Sequence, residues 1–197
     1  FAFLAGLWST GSVLELWNPE VSSSIIFAKM QYISITFLPA VWLIFLLNYT
    51  DTASRFHKWV YAFLIPSLLN LLMVWSNEWH SLVWTSFEYK LEPFPHTSFN
   101  RGLWFEAAIV PYAYMLLILS TAVLVRAFWV STRTQRNQLY ILLGAQLVPI
   151  VFNALYILRM LPFDITSLGF SLSSLLLGIG LFRQQLMQQL PVAYRRV

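Results

Sequence analysis

The sequence predicts an all-α transmembrane helical bundle of six visible spans, out of seven, with a short extracytoplasmic β-hairpin. Its composition is 58% hydrophobic and only 10% charged, whereas soluble domains carry about 25% charged residues. Six apolar segments are each long enough to cross a bilayer as a helix. One stretch outside them, Phe87–Glu92, instead alternates apolar and charged residues, which is the period of a half-buried strand.

The six apolar segments follow one another with short gaps, except between the third and the fourth. At a rise of ~1.5 Å per residue, 18 apolar residues make a helix of roughly 27 Å, close to the thickness of the bilayer core. The first segment begins inside an apolar run without a Met, so we expect one further helix upstream. All six belong to one bundle, 1–190. The segments are Phe1–Trp17, Ile25–Tyr49, Trp59–Trp75, Leu103–Val125, Leu139–Leu158 and Ile165–Phe182.

Four of these segments carry an internal proline. Each proline removes one helical hydrogen bond and frees a carbonyl one turn earlier, which must find another partner in a membrane. Such kinks either line a protein interior or are ordinary features of membrane helices. The prolines are Pro39, Pro66, Pro111 and Pro149, and the freed carbonyls belong to Ile35, Ala62, Ala107 and Ala145.

The long gap 76–102 is predicted to form a β-hairpin outside the membrane. Phe87–Glu92 supplies one strand, Pro93–Pro95 breaks it, and Thr97–Trp104 returns as the second. The hairpin is either a lid over a ligand pocket or part of an interfacial aromatic belt. Its aromatic face comprises Trp79, Trp84, Phe87, Tyr89 and Phe94.

The last segment, Ile165–Phe182, supplies both a packing face and an exit from the membrane. Ser171, Ser174 and Gly178 share one helix face, spaced for close packing. Beyond Phe182, helical periodicity continues through the predicted output residues, which belong to a cytoplasmic connector, 183–197. Its apolar stripe of Phe182, Leu186 and Leu190 either pairs with a second copy in a homodimer or lies on the membrane surface. The output residues are Arg183, Leu186, Leu190 and Pro191, at the last of which the helix is expected to end or kink.

Most Lys and Arg residues fall on one side of the bundle if the C-terminus is cytoplasmic, as the positive-inside rule requires. We therefore predict a multi-pass membrane protein with a cytoplasmic C-terminus. The inner residues are Arg55, Lys58, Arg126, Arg133, Arg136, Arg183, Arg195 and Arg196. The outer residues are Lys29, Lys90, Arg101 and Arg159.

Catalytic and cofactor patterns are missing from the sequence. It has no cysteine and no phosphate-binding glycine loop, zinc-protease or nucleophile-elbow pattern. His80, His96 and Glu88 lie on the outer side, but their spacing does not suit a metal site. The last segment has no Lys that could carry a retinal. We predict no enzyme activity, no metal, no cofactor and no nucleic-acid partner.

Residues spread along the chain resemble the N-terminal seven-transmembrane sensor region of bacterial histidine kinases and related signalling proteins. The resemblance implies an input domain embedded in the bacterial inner membrane, whose PAS, kinase or diguanylate cyclase domain lies downstream of Val197. Tyr194 departs from the family's exit pattern, where a basic residue is expected. The matching residues are Phe37–Pro39, Leu46–Tyr49, Leu64–Pro66, Asn77–His80, Gly102–Phe105, Tyr112–Tyr114, Arg136–Gln138, Pro149, Asn153, Leu190–Ala193, Arg195 and Val197.

Two classes of function remain open from the sequence. The first is a sensory input domain that passes a small-molecule or membrane signal through its last helix to a cytoplasmic output domain. We prefer it because the chain ends in a connector. The second is a transporter or membrane-complex subunit built around the proline-broken helices. For a sensor, the polar and aromatic groups near the outer mouth predict a small-molecule pocket. The predicted ligand-binding residues are His80, Trp84, Glu106 and Asn153.

Overall fold

The fold is that of a computed structural model, which describes residues 1–18, 20–50, 60–90, 96–158, 160–161 and 164–193, without the side chains of 96, 133, 134 and 181–193. The break predicted at Pro93–Pro95 lies outside these residues. The chain divides into two compact units, Phe1–Val125 and Arg126–Val197. Each unit is described by itself below.

Helical elements occur in each of the six apolar segments. Two helices, α1 and α2, precede a 3₁₀ turn, Val60–Phe63, that leads into α3, and a short helix α4 follows before two strands. A π-helical segment, Phe105–Ile109, then leads into α5, and the helices α6 and α7 follow. The bounds are α1 Ala2–Trp17, α2 Val21–Tyr49, α3 Leu64–Trp75, α4 Asn77–His80, β1 Trp84–Lys90, β2 His96–Arg101, α5 Val110–Val130, α6 Arg133–Ile157 and α7 Thr166–Ala193.

Three helical stretches among the described residues are long and apolar enough to cross a membrane by themselves. They are Val21–Tyr49, Phe105–Val130 and Gln135–Ile157. The stretches Val60–Trp75 and Thr166–Gly180 are apolar but shorter, and α1 has 16 residues. Six spans are therefore not confirmed, because helix length as well as apolar content limits what reaches across the hydrocarbon core.

The first unit is built around α2, which packs against α1 on one side and α3 on another. Ala40 and Leu43 of α2 meet Leu116 of α5 in a fully buried cluster. Phe63 and Tyr112 pack against this cluster, and the Tyr112 hydroxyl donates a hydrogen bond to the Phe63 carbonyl. The 3₁₀ turn before α3 is thereby tied to α5.

The prolines are accommodated in different ways. Pro149 lies inside α6, and the Ala145 carbonyl that it frees accepts a hydrogen bond of 2.6 Å from Ser173 of α7. Pro111 lies two residues after the π-helical segment, which contains Ala107. A π-helical turn changes the hydrogen-bonding register. Pro111 has no N–H to donate, and its missing hydrogen bond falls where the regular α-helical pattern is already interrupted.

In the second unit, α6 and α7 pack through small residues of α7. A Cβ added to Gly169 would lie 2.9 Å from the Pro149 Cα, and one added to Gly180 would lie 2.7 Å from the Ile141 side chain. Glycine at these positions lets the helices approach closely. The packing face therefore contains Gly169, Ser173 and Gly180.

The predicted packing face of Ser171, Ser174 and Gly178 differs from the face that contacts α6 within the second unit. An added Cβ at Gly178 would meet nothing within 4 Å. The Ser171 and Ser174 hydroxyls donate to carbonyls of their own helix, those of Ser167 and Phe170. Small residues occur on two sides of α7, and spacing alone could not tell which side meets α6.

Helix α7 continues well past its apolar part. It runs through Arg183, Leu186 and Leu190 and ends at Ala193. It therefore does not end at Pro191, because a proline near a helix terminus removes a single hydrogen bond and the preceding turns still hold the backbone.

The two strands form the predicted antiparallel hairpin, with Phe87 opposite Phe99 and Tyr89 opposite Thr97. The register shifts between Trp84 and Ser86. Only Trp84 of β1 is buried, so the half-buried strand that the alternation predicted is wrong. A sheet of two strands has no second layer to cover its apolar side chains, and Phe87 remains 36% exposed.

Candidate ligand-binding site

Asn77, the first residue of α4, holds the chain between α4 and β1. Its Oδ1 accepts hydrogen bonds from the backbone N–H groups of Val83, at 2.9 Å, and Trp84, at 3.1 Å. Its Nδ2 donates to the Trp84 carbonyl at 3.0 Å. Ser81 ends α4 in the left-handed conformation, with φ of 53°. One buried side chain thus fixes the start of the hairpin.

The other end of the hairpin is fixed against the same turn. The Gly102 N–H donates to the Val83 carbonyl and the Trp104 N–H donates to the Leu82 carbonyl, each at 2.8 Å. A Cβ at Gly102 would lie 2.2 Å from the Leu82 oxygen, so only glycine fits. The Trp104 indole N–H donates to the buried Asn70 of α3 at 3.0 Å. The hairpin is therefore held firmly to α3.

Lys29 of α2 is a buried cation beside this hairpin, only 9% exposed. Its ammonium donates to the Trp75 carbonyl at the end of α3, at 3.3 Å, and to the Glu78 carboxylate. It also lies 5.9 Å from the centre of the Trp75 ring. A cation favours the C-terminal end of a helix, so Lys29 stabilises the end of α3 as well as pairing with Glu78.

Glu78 of α4 is the more exposed partner, with 60% of its side chain accessible against 11% for Lys29. The hydrogen bond from Lys29 lowers the pKa of the Glu78 carboxyl below its ordinary value of 4.5. Partial desolvation acts in the opposite direction and is outweighed. Glu78 is therefore ionised at neutral pH, and its charge compensates the buried ammonium.

A cavity of about 300 Å³ lies beside this ion pair, bounded by α2, α4 and β1. It combines the two charges with hydroxyl groups and with aromatic surface. A few polar groups on a partly apolar wall are typical of small-molecule sites, and this volume is at their lower limit. The lining residues are Ile25, Lys29, Asn77, Glu78, Ser81, Trp84, Thr85, Ser86 and Phe87.

Trp84 is the best-fixed aromatic group of the cavity wall. It is 3% exposed and packs edge-on against Tyr32 of α2, with ring centres 5.1 Å apart. Phe87 and Phe99 pack against it from the hairpin. The wall is rigid because both the backbone of Trp84, through Asn77, and its ring are held.

The four residues predicted to bind ligand have different surroundings within their own units, and their joint role stays a prediction. Trp84 lines the cavity. His80 instead bonds locally, accepting the Leu82 N–H at 3.0 Å and lying 3.1 Å from the Ser76 hydroxyl. Glu106 is exposed on the surface of the first unit. Asn153 belongs to the second unit, where it donates to the Thr166 hydroxyl at 3.2 Å.

The aromatic face of the hairpin also differs from the predicted set. Trp79 is 90% exposed, and Phe94 lies outside the described residues. Phe99, which was not predicted, contacts both Trp84 and Phe87. The sequence carried a signal for it, because an aromatic residue in the second strand can face one in the first.

The ion pair was missed as a unit, although Lys29 was named among the outer residues. A lone lysine inside an apolar helix is costly unless it is paired. Glu78 lies three residues after the end of an apolar segment and could have been named as its partner. Among the described residues, no group of three or more His, Asp or Glu side chains is arranged to hold a metal ion.

The chain was compared with protein families, curated proteins and solved structures. The family described as the N-terminal 7TM region of histidine kinase matches residues 1–191. Neither the curated proteins nor the solved structures include a significant match. The family match covers nearly the whole chain and agrees with the helical, membrane-compatible fold. The chain therefore belongs to the family of N-terminal seven-transmembrane sensor regions of histidine kinases.

Proposed function

We propose that this chain receives a signal at the cavity beside Lys29 and passes it through α7 to a cytoplasmic kinase domain. Membership of a sensor family supports the input role. The cavity supplies a place for the signal, since charge, hydroxyl groups and a fixed aromatic wall converge there. The chain itself is the non-catalytic input domain.

The observation that carries the proposal is the continuity of α7. Its apolar part, Thr166–Gly180, continues as one helix to Ala193. A continuous helix transmits a shift or rotation over its whole length, which is the kind of element that switching receptors use. The polar segment after Phe182 would then transmit this movement to the output domain.

The orientation that suits this role places α7's C-terminal end in the cytoplasm. The positive-inside rule supports it, because Arg126 and Arg136 flank the α5–α6 connection and Arg183 follows the apolar part of α7. The hairpin and the cavity would then face the outside, in a bacterial inner membrane. We further propose that Leu186 and Leu190 pair with the same residues of a second copy.

The test uses full-length receptor in membrane vesicles, with Lys29→Met as a substitute for the unknown signal. Removing the buried charge should shift basal autophosphorylation by about threefold or more, on the order of 0.7 kcal/mol in a two-state equilibrium. Two glycines inserted after Gln185 should abolish that shift. Seven alanines inserted there keep both helix and heptad phase, and should preserve it.

If Lys29→Met still shifts basal autophosphorylation in the variant with two inserted glycines, α7 does not transmit the signal as a rigid helix. A cysteine at Leu186 should crosslink two copies in membranes, and its failure to do so would exclude the paired arrangement. If the output domain is a diguanylate cyclase, the same variants are compared through cyclic dinucleotide synthesis.

A further inference from the structure

We propose that the cavity beside Lys29 binds a small zwitterion, a molecule whose ammonium group and carboxylate or phosphate group are a few bonds apart. The inference names the ligand class and rests on the proposed function in treating the cavity as the input site.

The charges of the site favour a ligand that carries both signs. Lys29 and Glu78 both line the cavity and compensate each other. A simple anion would be attracted by the ammonium and repelled by the adjacent carboxylate, and a simple cation would meet the reverse. A zwitterion can place each of its charges beside the opposite one, so it alone gains from both.

Lys29 retains a hydrogen-bond donor for such a ligand. An ammonium group has three N–H donors, and its partners among the described residues are the Trp75 carbonyl and the Glu78 carboxylate. The third donor has no protein acceptor there, and Lys29 lines the cavity. A ligand carboxylate or phosphate could accept from this donor in a charge-assisted hydrogen bond.

The unequal exposure of Lys29 and Glu78 determines how a ligand would be oriented in the cavity. Lys29 lies deep, and the side chain of Glu78 is 60% exposed. The anionic group would therefore enter first and meet Lys29, while the ammonium group would stay near Glu78. The hydroxyls of Ser81, Thr85 and Ser86 line the same cavity and can accept hydrogen bonds from an ammonium group.

The size of the cavity limits the rest of the ligand. About 300 Å³ is at the lower limit for small-molecule sites, which suits a body of a few carbon atoms against Trp84 and Ile25. Two sources share this chemistry. One is a free amino acid, and the other is the ethanolamine phosphate headgroup of a membrane lipid.

The test measures binding to the full-length protein in nanodiscs of phosphatidylglycerol, which contain no zwitterionic lipid. Alanine, β-alanine and phosphoethanolamine are titrated by calorimetry, with propionate and ethylamine as analogues of one charge. At least one zwitterion should bind about tenfold or more tightly than both analogues, because each lost charge-assisted contact costs about that factor. Equal binding of propionate or ethylamine, or no binding of any zwitterion, would overturn the proposal.

The source is identified by adding phosphatidylethanolamine to the nanodiscs. If the ligand is the lipid headgroup, this lipid should block the phosphoethanolamine site, and the two amino acids should bind weakly in either nanodisc. If the ligand is a free amino acid, alanine or β-alanine should bind equally well with and without the lipid.

Variants separate the ion pair from general effects. Lys29→Met and Glu78→Gln should each weaken zwitterion binding about tenfold or more. Lys90→Met is the matched control, because Lys90 pairs with Glu88 at 3.9 Å on the exposed part of the same hairpin. Thr85→Trp fills the cavity and leaves both charges in place, so it should abolish binding even if Lys29→Met folds poorly. Wild-type affinity in Thr85→Trp would refute the site.

Kinase activity measured in the same nanodiscs distinguishes this inference from the proposed function. Binding without any change in autophosphorylation would contradict the input role and leave the ligand site standing. A kinase response to Lys29→Met, together with no zwitterion binding, would leave the input role standing and refute the ligand class.

Discussion

Asn77 links a helix to a strand through the three hydrogen bonds of one side chain. It is 4% exposed, so no water replaces those bonds when the side chain is shortened. The residue lies within the stretch Asn77–His80 that resembles the sensor family, and its described contacts explain why an asparagine suits the position. An amide can accept two backbone N–H groups and donate to a carbonyl at once, which a carboxylate cannot do.

Asn77→Ala is expected to lower the free energy of unfolding by about 2–4 kcal/mol, because buried backbone groups of Val83 and Trp84 lose their partners. Denaturant titration in detergent micelles measures it. Asn100→Ala is the control, since Asn100 is an exposed hairpin residue whose side-chain amide donates to the side chains of Ser86 and Glu88. A similar loss from both variants would show that Asn77 has no special role.

Glu78 should make stability depend on pH in acid. Its pKa in the folded protein lies below the ordinary value of 4.5, so its stabilising contribution is complete above that value and disappears as the pH falls through the folded pKa. The melting temperatures of the wild type and Glu78→Gln should differ by a constant amount from pH 7 to about pH 5.5 and converge below pH 4.5. A difference that persists unchanged at pH 3 would contradict the assignment.

At the scale of the helices, a proline in one helix is matched by a serine in the next. Pro149 frees the Ala145 carbonyl of α6, and Ser173 of α7 donates to it while also bonding to Gly169 of its own helix. The nearby Gly169 brings the two backbones close. The hydrogen bond to the freed carbonyl and the close approach of the two helices therefore occur in the same part of the α6–α7 pair.

Ser173→Ala should destabilise the α6–α7 pair by about 0.5–1.5 kcal/mol, the range found for hydrogen bonds between membrane helices. Ser174→Ala is the matched control, because the Ser174 hydroxyl bonds to a carbonyl of its own helix. Thermal unfolding in micelles compares the two. Equal melting temperatures would mean that the Ala145 carbonyl finds another donor.

The elements that could be predicted from the sequence are those with local signals. The long apolar segments predicted the helices, and the alternation around Phe87 predicted the hairpin. The ligand cavity depends instead on Lys29 and Glu78, which are 49 residues apart, so no periodic pattern joins them. Trp84 was predicted because aromatic residues mark the hairpin, and it lines this cavity. Asn153 belongs to the other unit, and its part in a ligand site stays a prediction.

At the scale of the whole molecule, orientation in the membrane can be measured with single cysteines, since the chain has none. A cysteine at Thr97 of β2 would be labelled poorly, because Thr97 is only 6% exposed. Exposed positions are Thr85 on β1 and Asn137 near the start of α6. An impermeant maleimide applied to intact cells should label Thr85→Cys and spare Asn137→Cys. The opposite pattern would reverse the proposed topology.

The burial of Lys29 also has a consequence for biosynthesis. Its partner Glu78 is made 49 residues later, a delay of roughly 2–10 s at the usual rate of translation. During that time α2 leaves the ribosome carrying a charge that the hydrocarbon core disfavours. The long lysine side chain can reach the lipid headgroups in the meantime. We therefore expect Lys29 of α2 to stay at the level of the lipid headgroups at first. Helix α2 should take its final position only after α3 and α4, which carry Glu78, have been synthesised.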